Sequence, residues 1–464
     1  MKDPSPESMA RAVMEACADC DICRHLMEDT PCLLFPELYR LYDREARKEG
    51  TVAPEEWRKL VELCNFCAIC PCPNIRSDIM KAKHAFIARD GLKPAIRLLE
   101  DVERVARICG AYPRLTNLLF QSRWSGGILR SLAGIHAERK VPEFPEESFP
   151  AWARERGLHE LKGGTGRKVA LFAGCTGRYL FPDVPRAVVD VLERNHVRVY
   201  VPEQCCCGMP TLLEGDRELT LELASRNVAR LTEAVEAGCD IVCSCPTCGY
   251  MLKMVLSEGA CHALEDPESA DTSSSTSKAR EPAAEPDHTE SQAARKPVFE
   301  GIFRDEGYFA SIDGARRLEI SRHTHDLGEY LLMLHRSGEL STEMEPVPGK
   351  VAYYPPCHLR EQKIGMPYLE LLSLVPGISI EPVEGAFTCC GIAGIMGFKR
   401  DFHEVSVSMG GSLMDRIKAI DPERLVTDCL SCRIQFNQLL HYRVFHPVEI
   451  LREACRGRDP RSSS

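Results

Sequence analysis

The chain has 464 residues, 44% of them apolar, which is length and apolar content for two to four buried cores. A formal charge of −10 with no basic stripe and interleaved aromatics excludes a nucleic-acid footprint, and no run reaches the roughly 18 uncharged apolar residues of a membrane span. The N-terminus, MKDPSPESMARAVMEAC, has no apolar signal core, so the 24 cysteines read as metal or catalytic residues in a reducing, cytoplasmic setting rather than a secreted disulfide scaffold.

In residues 1–105 the helical stretches ESMARAVMEA and PEEWRKLVEL each precede a cysteine run. The first run gives Cys17, Cys20 and Cys23, with Cys32 further on. The second gives Cys64, Cys67, Cys70 and Cys72, then Pro73. Two C-x2-C-x2-C runs, each with a trailing cysteine, are the signature of a pair of 4Fe–4S cubanes in which the fourth ligand crosses over. That rule groups Cys17, Cys20 and Cys23 with Cys72, and Cys64, Cys67 and Cys70 with Cys32. Structural zinc also takes paired C-x2-C, but gains nothing from three cysteines at intervals of three. An all-helical, ferredoxin-like unit with two clusters is expected here.

Residues 106–166 read as a helical connector. Trp124, Ile128, Leu129 and Leu132 line an apolar stripe there, a face for a membrane or partner subunit or for packing on the chain itself. The glycine stretch KGGTGRK at 162–168 precedes a strand instead of following one, so it is no dinucleotide loop, and no flavin or NAD site is expected.

Two blocks follow, 167–262 and 350–456, and they repeat one another. KVALFAGC ends at Cys175 and KVAYYPPC at Cys357, 182 residues on. CCG at 206–208 returns at 389–391, and DIVCSCPTC ending at Cys248 returns as RLVTDCLSC ending at Cys432. Each block alternates strand and helix signals, which predicts short parallel sheets with crossover helices. Sites in such sheets lie at the carboxyl ends of strands. Cys175, Cys206, Cys207, Cys245 and Cys248 should therefore converge, and so should Cys357, Cys389, Cys390, Cys429 and Cys432. Five thiols exceed a tetrahedral zinc site. The adjacent pair reaches two sides of one large cluster, and Gly208 and Gly391 are expected to let the backbone approach it. Cys205 is set aside, because Thr388 stands at its place in the second block. Cys109, Cys239, Cys243, Cys261 and Cys455 belong to no motif and read as small buried hydrophobes.

Between the blocks, 263–298 is rich in Ser, Pro, Glu and Ala and reads as a disordered linker. Residues 299–349 read as a helical segment, with HTHDLGEYLLML at 323–334 a capped amphipathic helix starting near Asp326. His358, beside Cys357, is a candidate hydrogen-bond or proton donor to a cluster sulfur, or a strand-end histidine satisfied by backbone. His446 reads as a loop residue ending a strand, and 457–464 as a flexible tail.

These motifs resemble the CCG-domain family of iron–sulfur proteins, which includes the iron–sulfur subunits of anaerobic glycerol-3-phosphate dehydrogenase and of glycolate and lactate oxidases, together with heterodisulfide reductase subunits. The resemblance is carried by PPCHLRE, CCGIAGIMGFKRDF, VTDCLSC and FHPVEIL. It implies a multidomain protein: the two-cluster helical module, then two duplicated α/β CCG domains. It implies one or two further 4Fe–4S clusters, cubane or noncubane, and electron transfer between a flavoprotein dehydrogenase of the glycerol-3-phosphate or 2-hydroxy-acid type and quinone or a disulfide-type acceptor. A peripheral place on the inner face of the membrane goes with that. The alternative it carries is a heterodisulfide reductase-like enzyme that reduces a disulfide at a noncubane cluster.

Overall fold

The computed structural model describes residues 4–20, 22–26, 30–67, 70, 72–161, 165–262, 303–305, 307–385 and 388–455. The expected linker, 263–298, and the expected tail, 457–464, lie outside the described residues.

The N-terminal region is helical. Helices Pro54–Glu62, Pro73–Asp90, Pro94–Glu100 and Pro113–Gln121 each open on a proline, whose fixed φ and missing N–H suit a first helical turn. Val13 and Met14 of helix Pro6–Cys20, Phe35 and Leu38 of helix Leu34–Ala46, and Trp57 and Leu60 of helix Pro54–Glu62 are all buried in one core with Ile79 and Phe86. The first helix does not stop before its cysteine run. It continues through Cys20, so Cys17 and Cys20 sit three apart on one helical face, and Cys23 follows in the short helix Ile22–Leu26.

The first block is built on a four-stranded parallel sheet. Strands β1 (Lys168–Phe172), β2 (Arg198–Tyr200) and β3 (Asp240–Cys243) stand in the order β2-β1-β3. Short strands β4 (Ala260–His262) and β5 (Phe303–Asp305) pair antiparallel as a separate ribbon. The sheet's fourth strand, β6 (Thr324–Asp326), comes after both and lies parallel to β3.

The second block has β7 (Gly349–Tyr354), β8 (Ile378–Pro382), β9 (Arg424–Thr427) and β10 (Arg443–Phe445), all parallel, in the order β8-β7-β9-β10. By position in each block, both sheets run 2-1-3-4.

This corrects the expected boundary at residue 262. The first block continues to β6 and the helix Leu327–Arg336, the counterparts of β10 and the helix Pro447–Cys455. The segment 299–349 is thus not only helical. Three residues are too short a strand for sequence alternation to reveal. Asp326 closes β6 and caps the next helix, its carboxylate accepting from Gly328 N–H, while Glu329 completes a capping box.

The blocks meet reciprocally. Helix Asp183–Arg194 of the first packs on helix Pro447–Cys455 of the second. Its counterpart, Pro367–Ser373, packs on Leu327–Arg336. One continuous apolar core, with Val188, Leu192, Leu331, Leu371 and Leu451 fully or almost fully buried, runs through both contacts.

Candidate metal centres

The predicted cysteines sit where strands end. Cys175 lies in the turn-helix after β1, and Cys206 and Cys207 in the loop after β2. Cys245 caps the helix Pro246–Tyr250 after β3. In the second block Cys357 opens a helix after β7, Cys389 and Cys390 follow β8, and Cys429 caps the helix Leu430–Leu439 after β9.

In the first block the thiols form a chain of contacts. Cys206 Sγ lies 3.4 Å from Cys175 Sγ. Cys207 accepts from Cys206 and from Cys248, and these two donors hold its thiol below the usual range despite burial. Cys248 in turn meets Cys245. The second block repeats the arrangement. Cys390 accepts from Cys389 and Cys432 and is likewise held low, Cys432 meets Cys429, and Cys357 lies beside both Cys390 and Cys429. In each block the second cysteine of the adjacent pair is the acceptor between two thiols. Two five-sulfur nests result, and Cys245 touches Cys429, so the nests abut.

The loops that carry the nests are pinned by polar side chains. Gln204 Oε1 accepts from Ala173 N–H at 2.9 Å, and its amide donates to Leu171 O at 3.0 Å. Asn227 accepts from Cys205 N–H and donates to Cys206 O, both at 2.9 Å. Arg178, three residues after Cys175, donates to Gln204 O at 2.7 Å; Arg360, three residues after Cys357, donates to Thr388 O at 2.9 Å. This duplicated arginine was readable from the repeat as C-x2-R. Cys205, set aside in the sequence because the second block has Thr388 at its place, lies in the loop five residues after β2, buried next to Cys206 with its N–H on Asn227. Of the cysteines without a motif, Cys239 and Cys243 are buried, whereas Cys109, Cys261 and Cys455 are only half-buried.

The backbone of both CCG glycines meets its nest, Gly391 N–H donating to Cys389 Sγ at 3.4 Å and Gly208 N–H to Cys206. A Cβ on Gly208 would meet only Thr220 and Met251, at ordinary contact distances. One on Gly391 would lie 2.1 Å from Ser406 O, so that glycine serves helix packing. A further glycine faces the first nest where a side chain would collide with a sulfur: at φ +66°, a Cβ on Gly174 would fall 2.7 Å from Cys248 Sγ.

In the N-terminal module Cys17 has Cys20, Cys23, Cys72 and Cys32 as charge neighbours, and burial foremost pushes its thiol up to about 12. Cys32 faces Cys64 and Cys23, and Cys70 faces Cys64 and Cys32. Cys67 lies beside Cys389 of the second nest. The sulfurs thus run from the N-terminal module to the second block, and from there to the first.

His358 makes no hydrogen bond to a cysteine. Its Nε2 faces Phe66 O at 3.2 Å and its Nδ1 faces Thr247 Oγ1 at 3.0 Å. Burial holds the imidazole neutral, so Nε2–H donates and Nδ1 accepts. Thr247 Oγ1 is 3.7 Å from Cys429 Sγ. His358 therefore reaches a nest through a hydroxyl that sequence spacing could not identify. His446, expected between strand and loop, is buried and accepts from Val448 N–H at 3.1 Å at the head of the last helix. Arg76 locks the modules together, donating to Tyr250 Oη at 3.0 Å and pairing with Glu361 at 3.1 Å.

An apolar cavity of about 170 Å³ opens onto both nests. Its walls include Cys175, Cys357 and Cys432, together with Val102 and Val105 of helix Val102–Gly110.

The donor set fits iron–sulfur clusters. Each nest offers five converging thiols, one more than tetrahedral zinc accepts, and soft thiolates in a water-poor setting are cluster ligands.

Residues 169–253 and 351–437 both match the family model of the cysteine-rich domain, CCG. The chain carries the CCG domain twice. Both matches end before the fourth strand of their sheet. The chain is 23% identical over 369 residues to a subunit of the anaerobic glycerol-3-phosphate dehydrogenase of Escherichia coli K12, covering 79% of this chain and 78% of the relative. It is 23% identical over 431 residues to a subunit of the fumarate reductase (CoM/CoB) of Methanothermobacter marburgensis, covering 88% and 74%. It is 25% identical over 327 residues to a probable glycolate oxidase iron-sulfur subunit of Bacillus subtilis, covering 68% and 61%.

Proposed function

We propose that this chain is an iron–sulfur electron-transfer subunit of an oxidoreductase, working between a flavoprotein dehydrogenase of the glycerol-3-phosphate or 2-hydroxy-acid type and quinone or a disulfide-type acceptor. The observation that carries this is the meeting of two five-cysteine nests at Cys245 and Cys429, beside a third group of cysteines reached through Cys67. When bound, clusters in these nests supply one-electron storage and transfer. The ligands are Cys17, Cys20, Cys23 and Cys72 for one N-terminal cubane and Cys32, Cys64, Cys67 and Cys70 for the other, in a ferredoxin-like module. Each CCG domain holds one further cluster through its five cysteines. The chain's own residues exclude water, fix the sulfurs and supply hydrogen bonds that tune them.

A second reading has its own support. The apolar cavity touches cysteines of both CCG domains, which is how a site for a disulfide substrate would be built. Turnover of a disulfide by the isolated, reduced chain would favour that reading over a relay.

The test is anaerobic purification with iron and acid-labile sulfide analysis. Cys390→Ser should remove the spectroscopic signal of the second CCG domain and leave the N-terminal cubanes. A colourless, sulfide-free protein, or signals unchanged in the variant, would end the proposal.

A further inference from the structure

Among the described residues twelve large apolar side chains are exposed, and seven of them fall between 108 and 132: Ile108, Tyr112, Leu115, Leu118, Leu119, Ile128 and Leu132. They belong to three consecutive short helices, Val102–Gly110, Pro113–Gln121 and Arg123–Leu132, or to the turn between the first two. Helix Pro113–Gln121 buries none of its residues. Leu115, Leu118 and Leu119 stand at i, i+3 and i+4, so they form one face, and Tyr112 extends it by a turn. That face is turned away from the protein, and Leu118 is 66% exposed. Its neighbour crosses closely: a Cβ on Gly126 would fall 2.4 Å from Phe120 O, and Arg130 donates to that same carbonyl at 3.1 Å. The outward face is therefore held by a rigid helical pair.

The charge around it decides what covers it. Residues 102–132 contain five arginines, at 104, 107, 114, 123 and 130, and one acidic residue, Glu103. Glu103 points inward, pairing with Arg178 at 3.4 Å and accepting from Cys206 N–H at 3.2 Å. Arg114 pairs with Glu146 at 2.7 Å and Arg130 donates to Phe120 O, so the positive charge this face presents is that of the exposed Arg104 and Arg107, in a chain of formal charge −10. Apolar residues that sink into the acyl boundary, with arginines at headgroup level, are the makeup of an interfacial helix. No helix among the described residues is long and apolar enough to cross a membrane, so the face suits lying on a bilayer.

We infer that helices Val102–Gly110, Pro113–Gln121 and Arg123–Leu132 form a docking face for an anionic lipid surface. The inference rests on the quinone arm of the function proposed above and gives a location to the peripheral membrane place that the family resemblance implies. It also sets the cavity against the bilayer, because Val102, Val105 and Ala106 of the first of these helices line it. A lipid-soluble acceptor would then reach both nests from the membrane side.

The experiment is sedimentation of the full, cluster-loaded chain with vesicles, under anaerobic conditions. Binding is expected to vesicles of phosphatidylcholine with phosphatidylglycerol, to weaken with salt, and to be weak on phosphatidylcholine alone. Leu115→Glu with Leu118→Glu should abolish it. Each of Arg104→Glu and Arg107→Glu should weaken it by about fivefold or more, from the loss of an arginine near an anionic surface. Iron content and visible spectra of these variants should match the parent, which keeps a failure here separate from a failure of the electron-transfer reading. Undiminished binding by the double leucine variant overturns the inference. So does absence of binding by a fully loaded parent, and so does a dimer of the parent that the double variant lacks, which would assign the face to a second copy.

Discussion

Cys245 of the first CCG domain and Cys429 of the second are in side-chain contact, each at the cap of the helix that follows the third strand of its sheet. Equivalent residues of a duplicated unit meet, as expected of two halves packed by reciprocal helix contacts. A change at this junction should be felt on both sides. Cys245→Ser is expected to alter the magnetic resonance signals of both CCG domains, whereas Cys175→Ser, at the far end of the first nest, should alter only the first. Spectra of the reduced protein decide it. A Cys245→Ser effect confined to the first domain would mean that the nests act independently.

Gly174 is the position where a single methyl group should cost a cluster. A Cβ there would lie 2.7 Å from Cys248 Sγ, on a backbone with φ +66° that a side chain strains by roughly 1–2 kcal/mol. Gly174→Ala is expected to lose the iron of the first CCG domain and retain that of the second. Iron and sulfide per chain provide the measurement, and full content would show that Cys248 has room to move.

Thr247 should tune the second domain although it belongs to the first. Its hydroxyl sits between His358 Nδ1, at 3.0 Å, and Cys429 Sγ, at 3.7 Å. Thr247→Val keeps the shape and removes the polar link. A hydrogen bond is worth about 1 kcal/mol net, which for one electron is about 40 mV. Because the hydroxyl proton goes to His358 Nδ1, it is the oxygen lone pair that faces Cys429 Sγ, so the potential of the second domain's cluster should rise by at most that order in a spectroscopic redox titration, with the first domain's moving less.

What the sequence made legible follows the range of each interaction. The offset repeats, the cysteines at strand ends and the cap at Asp326 are local or periodic, and the structure shows the same order twice. Strand β6 was not legible, since its three residues join a sheet whose other strands lie before residue 244. Gly174 was overlooked because Gly208 and Gly391 stand in the conspicuous motif, while the close approach is made by a thiol 74 residues away in the chain. Thr247 and His358 meet across a domain boundary, and no spacing within one repeat encodes that contact.

Glu100 should make stability fall towards alkaline pH. Its side chain is fully buried, and burial first, then the neighbouring Asp216, push its pKa up to about 9. The folded state therefore keeps a proton that the unfolded chain releases above about pH 4.3. This contribution is complete below that value and is lost as pH rises through the folded pKa. Glu100→Gln removes the dependence. Its gain over the parent should be larger at pH 8 than at pH 6, by at most about 2.7 kcal/mol over those two units. Thermal unfolding at both pH values checks this, and an equal gain at both would assign the proton elsewhere.

Arg139 is a buried cation from the connector that stands near the second nest, 1% exposed. Its Nη1 donates to Gln435 Oε1 at 2.6 Å, and its guanidinium lies 4.4 Å from the Phe398 ring centre. Nε and Nη2 are buried without hydrogen-bond partners. Burial lowers its pKa to about 10, against the pull of Cys390, so it remains charged at neutral pH. An underpaired buried cation is costly unless negative charge develops nearby, and a thiolate-rich nest provides that charge. Reduction adds one more negative charge, which the guanidinium stabilises. Arg139→Met should therefore lower the potential of the second domain's cluster by about 60 mV or more, equivalent to about 1.4 kcal/mol. Arg139→Lys should recover most of the shift, because the charge and not the fork geometry is what counts. The first domain's potential serves as the internal control. A parallel drop in both potentials would point to loosened packing, and an unmoved second potential would show that the arginine is compensated by Gln435 and the aromatic ring alone.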